Sequence, residues 1–149
     1  MNAPVFGTAE HKKQEIDALG RLSRLWHCSV TLEGDQFSLV DGRLYVGDDL
    51  VSVIEYKHRS IMPGAHDTYI LDARKWNDGK FLAALEGCHC GILLEFADGS
   101  LWWADVTDRE LDIVHDSGRT NQTRFEGDIK DVVFMPREWF KPVKPDGHD

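Results

Sequence analysis

Two carboxylates and one lysine stand out for their type and spacing: Asp41, Glu55 and Lys57. Glu55 and Lys57 are two residues apart at the end of a run rich in β-branched residues, so their side chains share one face of a predicted strand. If the preceding strand folds back through the turn at residues 47–49, Asp41 comes beside Glu55. Adjacent carboxylates repel unless a cation lies between them, and Mg²⁺ binds one or two carboxylates together with water and phosphate. The spacing therefore predicts a divalent-metal site. Beside such a metal, Lys57 would orient or help to deprotonate a water molecule, or would stabilise the charge that develops on phosphorus.

The same residues also fit simpler interpretations. Glu55 and Lys57 fit a solvated strand end with an ion pair, which would contribute about 0–1 kcal/mol. Asp41 and the glycine after it fit an ordinary turn. Other carboxylates compete with Asp41 for a place near the strand ends: Asp35, Asp48 and Asp49.

The elements that must position these residues are readable from the sequence pattern. Apolar residues recur at helical spacing between residues 8 and 26, with Thr8 as a suitable N-cap. Strands are predicted at residues 27–32, at residues 37–46 across the Asp41 turn, and at residues 50–57. The last of these is apolar on both faces in its first half, which indicates a central strand in which Val51 and Val53 share the face of Glu55 and Lys57.

The second half of the chain continues the pattern. It predicts a short strand at residues 69–71, a helix over residues 72–86 that begins at an Asp72 N-cap and ends at Gly87, and a hairpin over residues 91–106 that turns at Asp98-Gly99. Beyond residue 107 the signals weaken to strands at 111–114 and 132–135, a polar loop at 116–122, and a loose tail from Pro142. The order predicts a mixed α/β or α+β domain around one sheet.

The composition and charge of the chain limit the classes of function that it can have. The chain has 149 residues, 42% of them hydrophobic and 29% charged, which predicts one globular domain. The net charge of −9 argues against a broad basic surface for nucleic acid or anionic membrane. Residues 57–80, however, hold five Lys and Arg against three Asp, so the basic part of the chain begins at Lys57.

The cysteines and the chain ends bear on the compartment. There are three cysteines, an odd number, and the sequence shows neither a signal-peptide pattern nor an apolar run of membrane-spanning length. This predicts reduced thiols in a cytoplasm. Cys88-His89-Cys90 lacks the second cysteine pair that a structural zinc site requires, so buried or half-buried thiols are expected there.

The pattern Asp41-(x)13-Glu55-x-Lys57, in this order of elements, resembles the PD-(D/E)XK nuclease superfamily. That resemblance covers about residues 10–106 and implies a restriction-endonuclease-like α-β-β-β-α-β core, a mixed central sheet flanked by helices. The sequence is most similar in style to the small versions from bacteriophages and mobile elements, on these segments: Glu55-Tyr56-Lys57-His58-Arg59, Tyr69-Ile70-Leu71, Lys75-Trp76 and Asp98-Gly99. It departs from the superfamily pattern in having Val40 rather than proline before Asp41, and Gly42 after it.

The resemblance implies metal-dependent hydrolysis of DNA phosphodiesters with Mg²⁺ or Mn²⁺. Asp41, Glu55 and the backbone carbonyl of Tyr56 would hold the metal, and Lys57 would be the catalytic lysine. The resemblance also implies a glutamate on the first helix, for which Glu15 fits best and Glu10 is the alternative.

Basic residues flank the motif and are candidates for contacts with DNA phosphates. The alternative is an ordinary charged surface. The best single candidate is Lys75, which the resemblance places on the helix after the catalytic strand. The candidates are His58, Arg59, Arg74 and Lys75.

We expect a single domain over residues 1–149, with a nuclease-like core at about 8–107 and a C-terminal extension at 108–149. A homodimer is kept as one alternative for the assembly. If the protein is phage-encoded, it would act in the host cytoplasm. The alternative function is a catalytically inactive nuclease-like binding module, or an acidic mimic of DNA that inhibits a nucleic-acid enzyme. A further interpretation is a hairpin-rich binding domain of another fold, in which the Glu-x-Lys motif arises by chance.

Overall fold

The computed structural model describes residues 9–33, 38–116 and 130–145 of the chain. Its two helices are α1 (Ala9–Trp26) and α2 (Ala73–Glu86), and a short 3₁₀ turn covers Arg137–Trp139. The strands, in chain order, are β1 (Ser29–Leu32), β2 (Gly42–Val46), β3 (Asp49–His58), β4 (Thr68–Asp72), β5 (His89–Glu95), β6 (Leu101–Asp105), β7 (Val114–Asp116), β8 (Lys130–Pro136) and β9 (Lys141–Pro142).

The strands form two sheets. The larger has six strands in the order β1-β2-β3-β5-β6-β9, and the smaller has three in the order β4-β8-β7. Strand β3 lies in the middle of the larger sheet, antiparallel to β2 and parallel to β5. A parallel pair needs a crossover connection, and α2 lies within the one between β3 and β5. The mixed central sheet flanked by helices that the sequence predicted is confirmed.

The larger sheet has a core on each face. Helix α1 packs on one face through Ala18, Leu19, Leu22 and Trp26. Helix α2 and the smaller sheet pack on the other face, and the buried side chains there include Trp76, Leu82, Leu71, Val133 and Met135. A strand covered on both faces is largely apolar on both, which explains the hydrophobic residues that run from Leu50 to Ile54 of β3.

A β-bulge shifts the side-chain alternation along β3. Leu44 pairs with Ser52 but Tyr45 pairs with Leu50, so β3 carries one residue more than β2 at this point. Val51 consequently packs on the α1 face, whereas Val53 packs on the α2 face. The predicted alignment of Val51 with Glu55 and Lys57 is therefore wrong, because one inserted residue reverses the face of every residue before it.

Most predicted elements appear within two or three residues of their expected bounds. Asp72 caps α2 by accepting a hydrogen bond from the Arg74 N–H at 2.9 Å, and Gly87 ends the helix in the left-handed region at φ 69°. Predictions at Thr8, at residues 34–37 and at 117–122 lie outside the described residues. Three expectations are wrong: β2 begins at Gly42, so residues 38–41 lie outside the strand predicted at 37–46, β7 begins at Val114 instead of 111, and the expected loose tail pairs with β6 as β9.

The buried side of α2 leaves out two of the large hydrophobic residues of the helix. Phe81 and Leu85 are 60% and 70% exposed, because the helix turns them away from the sheet that Trp76 and Leu82 contact. Neither described helix is both long and apolar enough to cross a membrane.

Replacing Gly91 with alanine is expected to destabilise the protein by about 1–3 kcal/mol through overpacking. A Cβ at Gly91 would lie 2.0 Å from Cζ2 of Trp103, which packs against the α1-side core. The measurement is the free energy of unfolding in urea. The matched control is Gly20→Ala in α1, where the new Cβ meets only the end of Arg24 at 3.4 Å. That variant should be neutral or up to about 1 kcal/mol more stable. A Gly91→Ala protein as stable as the control would contradict the packing of Trp103.

Candidate active site

The site is centred on the second half of β3. Glu55 and Lys57 follow Val53 on the strand face that is turned toward α2. Glu55 is only 1% exposed. Burial of a carboxylate is costly unless a cation or hydrogen-bond donors compensate, so its surroundings require an explanation.

Asp41 lies directly beside this segment, immediately before β2 begins. Its N–H donates to the carbonyl of Ile54 at 2.9 Å, and its Oδ2 accepts from the N–H of Tyr56, also at 2.9 Å. Gly42 pairs with Ile54, so Asp41 is the next residue along and stands opposite Glu55. The predicted hairpin thus does bring Asp41 and Glu55 together. Asp41 lies just before the first residue of β2, however, and not within a strand over residues 37–46 as the sequence suggested.

The backbone of Tyr56 faces Asp41. In a strand, the N–H and C=O of one residue point to the same lateral side. The Tyr56 N–H points to the Asp41 carboxylate, whereas the Arg59 N–H donates to the Glu95 carbonyl of β5 on the opposite side. The Tyr56 carbonyl is therefore directed toward the side of the strand on which Asp41 lies.

Two features mainly determine the pKa of Glu55, the burial of its carboxylate and the neighbouring charge of Asp41. Burial raises the pKa of Glu55 well above its usual range, and the negative charge of Asp41 raises it further. The Nζ of Lys75 on α2 lies 3.9 Å from Oε2 and, with Lys57, partly opposes this rise. Neither carboxylate oxygen of Glu55 accepts a hydrogen bond from an N–H or O–H donor of a described residue. A hydrogen bond with the neighbouring Asp41 carboxyl needs a proton on one of the two groups, and it also raises the pKa of Glu55. A second cation beside it would relieve that cost.

Lys57 is perturbed in the opposite sense. Burial lowers the pKa of Lys57, the negative charge of Glu55 opposes this, and the positive charges of Lys75 and Arg59 lower the pKa further. An amine with a lowered pKa is a better proton acceptor near neutral pH than an exposed lysine.

Glu15 approaches the site from α1. Its side chain is 14% exposed, and the Nζ of Lys12 lies 3.6 Å from its Oε2. Burial raises the pKa of Glu15, and the charge of Asp41 raises it further, which places the two carboxylates within electrostatic reach. The alternative, Glu10, is exposed in the first turn of α1.

The competing carboxylates near the β2–β3 turn are distant. Asp48 and Asp49 are exposed there. Asp49 begins β3, and six residues of strand, about 20 Å, separate it from Glu55. Asp35 lies outside the described residues.

The predicted phosphate-contacting residues differ in their surroundings. Arg74 is exposed at the start of α2, with its Nε 4.0 Å from Asp78, and Lys75 contacts Glu55. Arg59 donates to the carbonyls of Ile70 and His58, so it holds β4 against the end of β3. His58 ends β3.

The donor set fits a hard divalent cation. Asp41 and Glu55 supply carboxylate oxygens and Tyr56 a carbonyl oxygen, and Mg²⁺ uses one or two carboxylates and completes its octahedron with water and phosphate. Across residues 9–33, 38–116 and 130–145, no group of three or more His, Cys, Asp or Glu side chains is arranged to hold a metal ion. A divalent cation bound here would therefore have the two carboxylates and the carbonyl as its protein ligands, with water and phosphate completing its coordination.

The thiols of Cys88 and Cys90 are half-buried and buried, as the sequence predicted. Cys28 is half-buried as well. Burial raises the pKa of Cys90 to about 12, which disfavours the thiolate that zinc requires.

One polar network was not predicted. The Tyr56 hydroxyl donates to Oε1 of Glu95 at 2.7 Å, and Nη2 of Arg21 lies 3.3 Å from Oε2 of the same carboxylate. The sequence contains one sign of this network. Glu95 is the single charged residue in the apolar run at residues 91–96, and a charged side chain in such a run needs a partner.

Comparisons with known proteins identify a family for the chain and a protein of similar fold. The family model described as "Phage putative PDDEXK endonuclease" matches residues 1–143. A search of curated proteins finds no match. Among solved structures, the chain is similar to Hjc of Archaeoglobus fulgidus, described as a Holliday junction resolvase from an archaeal hyperthermophile. The TM-score is 0.56 and the identity 14%, over 88% of this chain and 96% of Hjc. At that identity the likeness concerns the fold, and it confirms the restriction-endonuclease-like core.

Proposed function

Because this chain belongs to the phage PDDEXK endonuclease family, and is thus a nuclease of the PD-(D/E)XK type, we propose that it hydrolyses DNA phosphodiester bonds in a reaction that requires Mg²⁺ or Mn²⁺. The observation that carries this proposal is the pairing of the Asp41 carboxylate with the β3 segment that presents Glu55 and Lys57. We further propose that the reaction belongs to DNA processing by a phage or mobile element in the host cytoplasm.

The ligands proposed for the cation are Asp41, Glu55 and the carbonyl of Tyr56. Two features support them: the unbonded, buried oxygens of Glu55, and the Tyr56 N–H that fixes the Asp41 carboxylate. When bound, a divalent ion lowers the pKa of a coordinated water and neutralises charge on the phosphate. Glu15 would add a negative charge beside Asp41 that favours cation binding.

Lys57 is proposed to act on the attacking water. Its lowered pKa favours a neutral amine that accepts a proton, and its charged form would stabilise the phosphorane-like transition state. Lys75 lies 3.9 Å from Oε2 of Glu55 and partly offsets its charge in the absence of substrate, and it is proposed to meet a phosphate when Glu55 binds a cation instead.

DNA is proposed to approach from the end of β3 and the start of α2. Exposed Arg74 and half-buried Lys75 lie there, with His58 and Arg59 beside them. The rest of the chain is acidic, and the net charge of −9 restricts phosphate contacts to this basic segment. Cutting both strands of a duplex or a branched junction would need two active sites, which favours a homodimer on such substrates.

The test is cleavage by the purified full chain of single-stranded, duplex and four-way branched DNA, with Mg²⁺, with Mn²⁺ and with EDTA. We expect metal-dependent cleavage by the wild type and a loss of at least about a hundredfold in Asp41→Asn, since that variant removes one of two carboxylates. Circular dichroism checks that the variant is folded. The matched control is Asp48→Asn at the exposed β2–β3 turn.

The second candidate function is a non-enzymatic binding module, which the net charge of −9 favours. Calorimetric titration with Mn²⁺ separates the two. No uptake by the wild type, and no cleavage of any substrate by folded protein, would overturn the nuclease proposal and leave the binding module.

A further inference from the structure

We propose that Tyr56, Glu95 and Arg21 form a positioning network that sets the backbone conformation at Tyr56 in the active site. This inference rests on the proposed function. It concerns the face of the sheet opposite Glu55 and Lys57, on which the Tyr56 side chain packs against α1.

The backbone of Tyr56 has two tasks in the site. Its N–H, in the peptide group shared with Glu55, holds the Asp41 carboxylate at 2.9 Å, and its carbonyl, in the peptide group shared with Lys57, is directed to the same lateral side. A change in φ or ψ at Tyr56 would turn one of these peptide groups relative to the other, and so separate the carbonyl from Asp41. The site therefore depends on the backbone angles of one residue.

The side chain of Tyr56 is the anchor that can fix those angles. Its ring is buried against α1, with the residue 8% exposed, and its hydroxyl donates to Oε1 of Glu95 at 2.7 Å. A hydrogen bond to an ionised carboxylate is shorter and stronger than one between neutral groups. Burial raises the pKa of Tyr56, and Glu95 raises it further, so the hydroxyl remains a donor.

Glu95 is in turn held from α1 and from the β5–β6 turn. Arg21 places Nη2 at 3.3 Å from Oε2 of Glu95, and both of its Nη atoms donate to the carbonyl of Gly99 at 2.9 Å. The network thus joins α1, β3 and β5 and the turn after β5. Since Glu15 lies on α1 only six residues before Arg21, less than two turns, the network also influences where Glu15 stands relative to Asp41.

An apolar alternative would fill this space at lower cost. A buried carboxylate must be paired, and replacing such a group by apolar residues of similar size is frequently neutral or stabilising. Phenylalanine at 56 with leucine at 95 would keep the packing without the polar atoms. A polar network in that place adds directionality, which a metal-binding peptide requires and a packed core does not.

The experiment compares the wild type with Tyr56→Phe, Glu95→Gln and the double variant Tyr56→Phe/Glu95→Leu. Each full-length protein is measured for its Mn²⁺ Kd by calorimetry without DNA, for kcat and KM in cleavage, and for its urea unfolding. Tyr45→Phe on β2 is the matched control. We expect Tyr56→Phe and the double variant to lose about tenfold in Mn²⁺ affinity and in kcat, with KM unchanged. Glu95→Gln keeps an acceptor for the hydroxyl and should retain both.

The outcomes separate this proposal from the proposed function. A folded double variant with wild-type Mn²⁺ affinity and kcat overturns the positioning network and leaves the nuclease proposal intact. The positioning network is likewise overturned if Tyr56→Phe lowers only the unfolding free energy. Wild-type protein that neither binds Mn²⁺ nor cleaves DNA overturns both proposals.

Discussion

Glu55→Gln is expected to abolish cleavage while making the metal-free protein more stable. The substitution keeps the size of the side chain but removes a negative charge that is 1% exposed and lies beside Asp41. Without that charge the cation loses a ligand, so kcat should fall by at least about a hundredfold. Without a cation, the neutral amide avoids the cost of burying the carboxylate.

The stability difference should depend on pH in a defined direction. Burial and Asp41 raise the pKa of Glu55 above its usual 4.5 in the folded state. The folded protein therefore binds more protons than the unfolded chain in this window, and its stability falls as pH rises from about 4.5 through the raised pKa. Glu55→Gln lacks that loss, so its advantage in unfolding free energy should grow from pH 5 to pH 8. Glu15 shifts in the same direction but is present in both proteins, so the difference isolates Glu55.

Urea unfolding of wild type and Glu55→Gln at several pH values, in EDTA and in Mg²⁺, is the measurement. Mg²⁺ should stabilise the wild type and have little effect on the variant, since binding to the folded state adds to its stability. The matched control is Glu138→Gln in the exposed 3₁₀ turn. A Glu55→Gln protein that cleaves DNA at the wild-type rate would contradict the proposed role of Glu55 as a metal ligand.

Lys57→Met is expected to lower kcat by about 10²–10⁴-fold with the fold retained. The physical reason is the position of the amine on the same strand face as Glu55 and its lowered pKa, which comes first from burial. Methionine keeps the length and packing of the stem. Lys141→Met on the exposed strand β9 is the matched control and should cleave normally.

Lys57→Arg tells apart the two roles proposed for the lysine. Arginine keeps the positive charge but does not give up its proton. If Lys57 accepts a proton from water, Lys57→Arg should be as inactive as Lys57→Met, and the wild-type rate should rise with pH to a plateau below 10.5. If Lys57 only stabilises charge, Lys57→Arg should retain a substantial part of kcat. Wild-type activity in Lys57→Met would exclude both roles.

Lys57→Met also changes stability with pH, with the opposite sign to Glu55. The pKa of Lys57 is lowered below its usual 10.5, so the folded protein binds fewer protons there than the unfolded chain. The cost of the buried ammonium is present below the lowered pKa and disappears as pH rises toward 10.5. Lys57→Met should therefore be more stable than wild type at pH 7, by an amount that shrinks on raising the pH.

Much of the candidate site was readable because its parts are close in sequence. The two-residue period of a strand puts Glu55 and Lys57 on one face, and the tight turn at residues 47–49 brings β2 back beside β3. Asp41 consequently stands beside Glu55, as expected. The catalytic and ligand roles of these residues stay predictions until the variants are measured.

Contacts between segments that are distant along the chain could not be predicted from the sequence. The hydrophobic pattern of β3 gave no sign of the bulge that turns Val51 to the α1 face, because an apolar strand covered on both sides looks alike in either register. Phe81 and Leu85 fit an apolar helix side equally well whether or not anything covers them. Glu95 could be recognised as unusual, but not as a partner of Tyr56 and Arg21, which lie 39 and 74 residues away.

Local physics in this chain accounts for the order of elements, for the caps of α2 and for the face shared by Glu55 and Lys57. Backbone propensity, side-chain period and turn chemistry act over a few residues, and they point the same way here. The fold alone establishes that Glu55 is fully buried, that Lys75 reaches it from α2, and that Arg21 and Glu95 hold Tyr56 from the other face. Burial and electrostatic fields sum over every packed neighbour, so they exist only once the helices lie against the sheet.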